Sequence, residues 1–368
     1  MRAFEFLIEN EVVGGREFNH LEDLVFLQPA GGALKAVDVL KNVGEGAKDI
    51  AVKWDGNPTV YWGRDEQGNF SLMGKNNWGK PEGRSNSPEE LEQFILSRGK
   101  GEEWRPKFAN DMAELWPVFE KATPDGYVGY VFGDLLYHPG KPYSTQDGVI
   151  TFTPNQTSYT IKPDSEIGDR ISASKIGVAV HQTFTHFGDK VGEPIKDISM
   201  FDGNPDLYVV GQTYVTHRPE VGAENLQAIA GEAAKSQQAI TKMLEKRQGL
   251  SDFPNIIYTF INSQSRAKKL NDLDPKHFFD WLPTSKVSQN KQAKIAQINQ
   301  DSGNTMASMF YLVREIMKAK DEVIKELDST DGDITTNTKG VPGGEGYVKQ
   351  GEKVKFVPRD RWTPFRSD

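Results

Sequence analysis

The stretch IAVKWDGNPTVYWG, residues 50–63, decides the fold prediction. Its two ends are short apolar runs rich in β-branched and aromatic residues, which favour strands. The segment Asp55-Gly56-Asn57-Pro58 between them consists of turn-forming residues. The stretch therefore predicts a strand, a tight turn and a second strand, with Lys53 at the end of the first strand.

Outward from this hairpin, the pattern predicts an α+β fold with much antiparallel sheet. The first fifty residues look mainly helical, and the segment from 222 to 327 is helical again, with an apolar stripe from Met306 to Met317 that predicts core. A polar, glycine-rich loop covers 328–346. Further helices are predicted at 89–96 and 110–121, strands at 70–73, 127–137, 176–184, 207–215, 346–349 and 353–357, and a hairpin at 149–161.

Composition describes a soluble globular chain of 368 residues, with 37% hydrophobic and 26% charged residues. The absence of cysteine excludes a disulfide partner and thiolate chemistry. The formal net charge of −8 argues against sequence-blind coating of nucleic acid. No apolar run approaches the length of a membrane span and the amino-terminus lacks a signal-peptide pattern, so we expect no membrane association and a cytoplasmic location.

Lys53 is the candidate nucleophile. A lysine amine attacks phosphorus only where neighbouring cations and partial desolvation activate it. Such a site also needs an acid for ribose hydroxyls, an acid for a divalent metal, cations for the transferring phosphorus and an apolar slot for a base. The chain offers a candidate for each of these requirements.

Asp134 is the candidate ribose acid. It lies in YVGYVFGDLLY, residues 127–137, which is otherwise apolar and predicts a buried strand. A buried carboxylate is costly unless it is paired or ligated, so Asp134 requires a partner. The alternative is a carboxylate that caps a neighbouring loop. His181 and His186 lie five residues apart, and they are interpreted as a strand end and its loop rather than as metal ligands.

The carboxyl-terminal segment supplies the remaining charges. Glu345 stands at the entrance of a predicted strand, where a metal is within reach. Lys353 and Lys355 would share one face of the next strand, because strand side chains alternate. This pattern predicts a phosphate site, and its alternative is a solvent-facing edge protected by lysine.

These segments resemble the motifs of the covalent nucleotidyltransferase superfamily, which includes ATP-dependent DNA and RNA ligases and mRNA capping enzymes. Lys53-Trp54-Asp55-Gly56 resembles motif I, and Phe132-Gly133-Asp134-Leu135-Leu136 is similar to motif III. Glu345-Gly346-Tyr347-Val348 resembles motif IV, and Lys353-Val354-Lys355 is similar to motif V. The resemblance implies a ligase adenylation-domain core of antiparallel sheets.

The chain also resembles a group of tailed-bacteriophage proteins. The likeness rests on the opening Met1-Arg2-Ala3-Phe4-Glu5-Phe6-Leu7 and on Phe152-Thr153-Pro154-Asn155, and it covers most of the length. A phage origin would make the host cytoplasm the expected location and leaves virion association open.

The resemblance also implies a reaction. Lys53 would take AMP from ATP in the presence of Mg²⁺ or Mn²⁺ and pass it to the 5′-phosphate of RNA or nicked DNA. Asp55 and Gly56 of motif I would contact the nucleotide, and the acid of motif III, Asp134, would meet the ribose. The glutamate of motif IV would bind the metal, and both lysines of motif V would contact the α-phosphate.

Arg64 and Lys75 are predicted phosphate ligands for the acceptor. Arg64 follows the second strand of the hairpin, and Lys75 stands in Gly74-Lys75-Asn76-Asn77. Ligases and capping enzymes commonly carry an arginine soon after motif I, and Asn57-Pro58 stands in that place here.

The spacing of the motifs predicts the domain organisation. A nucleotidyltransferase core would comprise residues 1–221 and 331–368, with a helical insertion at 222–330. The chain ends thirteen residues after Lys355, so we expect no C-terminal OB-fold domain of the kind that many ligases use. Two alternatives stay open: an inert binding or virion-associated protein with the same fold, and an enzyme that nucleotidylates a protein or small molecule.

Overall fold

The computed structural model describes residues 18–28, 30–46, 49–195, 197–214, 219–220, 222–245, 250–329, 333–338, 340–343, 346–349 and 351–359. In this part of the chain helices and several mainly antiparallel sheets form an α+β fold, as the sequence predicts. Glu345, the glutamate of the segment that resembles motif IV, lies outside the described ranges. So does the opening, Met1–Leu7.

Seven of the ten α-helices in the described ranges lie before residue 50 or after residue 222, and three lie between residues 88 and 173. The α-helices are α1 (Leu24–Leu27), α2 (Gly32–Gly44), α3 (Pro88–Ser97), α4 (Arg105–Ala122), α5 (Glu166–Ala173), α6 (Ala223–Glu245), α7 (Phe253–Arg266), α8 (Pro275–Trp281), α9 (Gln289–Ser302) and α10 (Thr305–Ser329). Short 3₁₀ helices cover Leu21–Asp23, Pro81–Gly83, Ser199–Phe201, Leu270–Asp272 and Leu282–Thr284.

Most strands lie between residues 50 and 210. They are β1 (Asn19–His20), β2 (Ile50–Val52), β3 (Thr59–Arg64), β4 (Phe70–Gly74), β5 (Gly129–Tyr137), β6 (Ser144–Gln146), β7 (Val149–Phe152), β8 (Thr157–Ile161), β9 (Ile176–Phe184), β10 (Glu193–Pro194), β11 (Leu207–Val210), β12 (Ile334–Thr338), β13 (Val341–Pro342), β14 (Tyr347–Lys349) and β15 (Val354–Phe356). The hairpin predicted at 149–161 is confirmed by the antiparallel pair β7 and β8.

The chain divides into two compact units. The first comprises Met1–Val52, Tyr214–Thr330 and Gly346–Asp368, and the second comprises Lys53–Thr213 and Asp331–Glu345. This division differs from the predicted one, which placed the helical segment 222–330 by itself. The physical reason is a shared hydrophobic core, since the apolar faces of α2 and β15 are buried together with those of α6, α7 and α10.

The predicted apolar stripe of α10 belongs to the core of the first unit. Its side chains are almost completely excluded from solvent and pack in the same cluster as α2, α6 and α7. This confirms that the stripe is core. The residues are Met306, Met309, Phe310, Val313, Ile316 and Met317.

A buried charge cluster also stabilises the first unit. The ammonium of Lys320 on α10 lies 2.9 and 3.0 Å from the two carboxylate oxygens of Glu22, and Arg359 Nε lies 2.9 Å from the same carboxylate. Arg359 also pairs with Asp23. Burial raises the pKa of Asp23 to about 6, although the Arg359 charge opposes that shift. The two acids are thus neutralised by two cations from distant parts of the chain.

The sheet of the first unit has the order β1-β15-β14-β2. In β15, Val354 and Phe356 are buried in the helical core, while Lys355 between them is half-buried and lies opposite His20 of β1. Lys353 precedes the strand in a turn with a φ of 53°. The prediction that Lys353 and Lys355 share one strand face is therefore wrong, because strand alternation begins only at Val354.

The main sheet of the second unit has the order β10-β9-β5-β3-β4, with β11 parallel to β9. Helices α3 and α4 cover one face through a core that includes Val60 and Trp62 of β3. Because side chains alternate, Thr59 and Tyr61 lie on the opposite face. This second face also carries Asp134, whose carboxylate accepts a hydrogen bond from Thr59.

A second sheet of this unit, of order β13-β12-β8-β7-β6, contains the predicted hairpin. Its strands β8 and β12 are joined by a hydrogen bond between the hydroxyls of Thr157 and Thr338 at 2.9 Å. No helix in the described ranges combines the length and the apolar character that a membrane crossing requires.

Candidate functional site

The loop that carries Lys53 is docked onto strand β5 by Gly56. A Cβ atom at this position would lie 2.5 Å from the carbonyl oxygen of Leu135 and 2.7 Å from the Cβ of Asp134. Backbone hydrogen bonds fix the approach, since Asn57 N–H donates to Leu135 O at 2.9 Å and Leu135 N–H donates to Pro58 O at 3.0 Å. Only glycine fits here, so the Asp-Gly pair of the loop lies directly beside the acid of the strand.

Asp55 is held by residues of the β7–β8 hairpin. Its backbone N–H donates to the hydroxyl of Tyr159 at 2.8 Å, and its carboxylate accepts a hydrogen bond from the Asn155 amide at 3.0 Å. The Lys53 ammonium lies 3.8 Å from the other carboxylate oxygen of Asp55. The Lys53 side chain is 31% exposed.

Trp54 anchors the same loop in the protein interior. It is 5% exposed, its ring packs against Tyr159 at a centroid distance of 4.9 Å, and its indole N–H donates to Thr213 at 3.1 Å. Tyr159 in turn stacks on Phe152 of β7. The ring contacts among Trp54, Tyr159 and Phe152 therefore hold the backbone of the loop next to Lys53.

Asp134 is half-buried and has two hydrogen-bond partners. The hydroxyl of Thr59 donates to one carboxylate oxygen at 2.6 Å, and Nε2 of His181 lies 3.0 Å from the other. A carboxylate only accepts hydrogen bonds, so Nε2 is the donor of that pair. The prediction that Asp134 needs a partner is confirmed, and the Asp134 side chain is 16% exposed.

A β-bulge aims His181 at this carboxylate. Phe132 of β5 pairs with Gln182 of β9, but the next residue, Gly133, pairs with Val180, which leaves His181 as the extra residue. Bulges re-aim side chains in this way and recur beside active sites. The neighbouring ring of Phe132 lies 5.4 Å from the imidazole.

An aromatic cluster adjoins Asp134 on the same sheet face. Tyr61 stacks on Trp78 at 4.4 Å and packs against Phe132 at 4.9 Å. Burial raises the pKa of Tyr61, and the negative charge of Asp134 raises it further, so the phenol stays neutral. Trp78 and Phe132 are half-buried and present an apolar surface next to the acid.

Comparison with known proteins identifies the family to which the chain belongs. A family model described as a family of unknown function (DUF6267) matches residues 16–364. The chain belongs to this family. No curated protein and no solved structure matches it.

Arg64 does not join this site. Its guanidinium donates to the carbonyl oxygens of Gly68, Glu120 and Thr123 at 3.1–3.3 Å and pairs with Asp125 at 3.1 Å. It stands at the far end of β3, five residues and roughly 17 Å of strand away from the residue that binds Asp134. The arginine therefore holds α4 and a loop against the sheet.

Lys75 lies at the end of the sheet where Asp134 is. Gly74 of β4 pairs with Val60, one residue from Thr59, and Lys75 follows in an exposed turn. Strands β4 and β5 are two positions apart in the sheet, which is roughly 10 Å. The position of Lys75 is compatible with a phosphate ligand at this edge, and phosphate binding by Lys75 stays a prediction.

The metal prediction rests on Glu345, which lies outside the described residues. Within the described ranges no group of three or more His, Asp or Glu side chains is arranged to hold a metal ion. Enzymes that act on nucleotides often bind Mg²⁺ through one or two carboxylates and the substrate phosphates, so such a group is not required.

Sequence reasoning missed the residues that support the two acids: Thr59, His181, Tyr159 and Asn155. In the sequence, Phe152-Thr153-Pro154-Asn155 assigns no role to Asn155, and the pattern around His181 indicates only a strand end. Each contacts its acid across strands or loops, over separations of 47 to 104 residues for His181, Asn155 and Tyr159. Spacing along the chain carries no signal for such pairs.

Proposed function

We propose that this protein is a nucleotidyltransferase that adenylates itself at Lys53 and transfers AMP to the 5′-phosphate of RNA or nicked DNA. The observation that carries the proposal is the docking of the Lys53 loop onto the acid-bearing strand through Gly56. Two segments that resemble motifs I and III, separated by about eighty residues, are thereby neighbours in one unit.

The proposed first step is an in-line displacement. The Lys53 amine attacks the α-phosphorus of ATP, a P–N bond forms, the bond to the bridging oxygen breaks, and pyrophosphate leaves as the amine loses its proton. Asp134 accepts hydrogen bonds from the ribose, and the Tyr61–Phe132 surface offers the base an apolar contact.

In the second step an oxygen of the acceptor 5′-phosphate attacks the same phosphorus. The P–N bond breaks and Lys53 regains its proton, which leaves AMP joined to the acceptor through a pyrophosphate linkage. A divalent metal would neutralise charge on the phosphates, and the resemblance assigns it to Glu345. The roles of Lys353 and Lys355 as α-phosphate ligands also rest on the resemblance. The preference for ATP over GTP has the same basis.

Covalent labelling tests the proposal. The purified protein is stripped of bound nucleotide with pyrophosphate, incubated with each α-labelled ribonucleoside triphosphate and Mg²⁺ or Mn²⁺, and denatured before separation. We expect acid-labile label on the protein, strongest with ATP, and its release by a 5′-phosphorylated RNA or nicked duplex. Label that no polynucleotide releases would point to a protein or small-molecule acceptor, and no label with any nucleotide would refute the enzyme proposal.

The docking of the loop gives a prediction of its own. Gly56→Ala would force a methyl group into the carbonyl oxygen of Leu135, and strand β5 is too firmly paired to yield. We expect a loss of about 1–3 kcal/mol in the free energy of unfolding and a large loss of labelling at Lys53. Denaturant unfolding and the labelling assay measure the two effects.

Gly126→Ala is the matched control for this change. Gly126 belongs to the same unit, and a Cβ at that position would have no neighbour within 4 Å. It should unfold and label like the wild type. Equal behaviour of the two variants would show that the close approach of loop and strand is not needed.

A further inference from the structure

We propose that His181 and Thr59 are positioning residues that orient Asp134 toward the two ribose hydroxyls of the nucleotide. This inference rests on the proposed function and deepens it. Neither residue belongs to the segments that resemble the superfamily motifs. Both hydrogen-bond to the carboxylate of Asp134 from the strands on either side of it.

The contacts fix the rotation of the carboxylate. An ionised carboxylate offers about four lone-pair sites. Thr59 takes one of them on the first oxygen and His181 one on the second, at 2.6 and 3.0 Å. One lone-pair site per oxygen is left, and the Asp134 side chain is 16% exposed. Two acceptors held side by side match the 2′- and 3′-hydroxyls of a ribose.

The imidazole is itself held in place. The bulge in β9 directs His181 to the acid, and its ring packs beside Phe132. Its side chain is 28% exposed, compared with 65% for His186 in the bend after the same strand. A histidine that served only as a polar surface residue would need neither the bulge nor a half-buried carboxylate partner.

The expected effect falls on nucleotide affinity and sugar preference. Loss of a hydrogen bond to a charged group is typically worth a factor of about 10 to 100 in binding. We expect His181→Ala to raise the ATP concentration for half-maximal labelling by about that factor, with little change in the maximal rate. The effect on 2′-deoxyATP should be smaller, because that nucleotide uses only one of the two oriented oxygens.

Conservative variants separate positioning from folding. His181→Gln keeps an N–H donor of similar reach and should recover most of the affinity, and Thr59→Ser should do so where Thr59→Val does not. His186→Ala is the matched control and should label like the wild type. ATP binding is measured in parallel by calorimetry, with thermal unfolding of each variant as the check on the fold.

The outcomes divide the two proposals. If the wild type binds ATP without covalent label and His181→Ala weakens that binding, the positioning role stands and the transfer reaction does not. If the wild type labels normally and His181→Ala changes neither the affinity nor the preference for ATP over 2′-deoxyATP, the positioning role is refuted. Absence of both binding and label with every nucleotide refutes both, and equal losses for the two sugars would mark His181 as structural.

Discussion

Lys53→Ala should abolish covalent nucleotide labelling, with a loss of at least ~1000-fold in the rate, because removal of the nucleophile leaves no atom to form the P–N bond. Lys53→Arg should fail equally. Arginine keeps the positive charge beside Asp55, but its guanidinium is not deprotonated in proteins and cannot attack phosphorus. The rate of labelling with α-labelled ATP is the measurement.

The fold of these variants should be intact, since Lys53 is 31% exposed and the loop is anchored through Trp54 and Gly56. Lys121→Ala, which removes an exposed lysine from α4 of the same unit, should label like the wild type. Undiminished label in Lys53→Ala would move the nucleophile to another residue, which peptide mapping of the labelled protein would identify.

The elements of the fold were predictable where the signal is local. Strand β9 has the predicted bounds, Ile176–Phe184, and helix α3 begins after Ser87, whose hydroxyl accepts a hydrogen bond from Glu90 N–H as expected for a helix start. Both features depend on periodicity and capping within about ten residues. Such patterns are written directly in the sequence.

The division into units was not predictable in this way. The motif order suggested a core interrupted by a helical insertion, but α2 and the last strand bury their apolar faces with α6 and α10. Amphipathic helices show which face is buried and not which partner covers it. The turn at Lys353 was missed for a related reason, because a left-handed residue at a strand entrance leaves no mark in a Lys-Val-Lys pattern.

The sequence predicts which residue types the candidate site needs, but it does not predict which side chains contact one another there. Burial energetics required a partner for Asp134, yet they could not choose Thr59 and His181 among the polar residues of the chain. The resemblance identifies the glycine of the Lys53 loop. The physical reason for a glycine there is its close approach to Leu135, a contact between a loop and a strand that are far apart in sequence.

Lys320→Met should produce a large loss of stability in the first unit. Lys320 and Glu22 are fully buried and joined by two hydrogen bonds, so removal of the ammonium leaves an inadequately compensated carboxylate inside the core. Breaking one side of a buried pair typically costs about 3–5 kcal/mol. Guanidinium unfolding followed by far-ultraviolet circular dichroism, which reports the helices of this unit, measures the change.

Lys318→Met is the control on the same helix, because Lys318 is exposed and pairs with Glu315 at the surface. That variant should lose no more than about 1 kcal/mol. The double variant Glu22→Gln/Lys320→Met should lose less than the sum of its parts, since a neutral amide at position 22 no longer needs the ammonium, while Arg359 keeps Asp23 as a partner. Equal stability of Lys320→Met and Lys318→Met would contradict the buried pair.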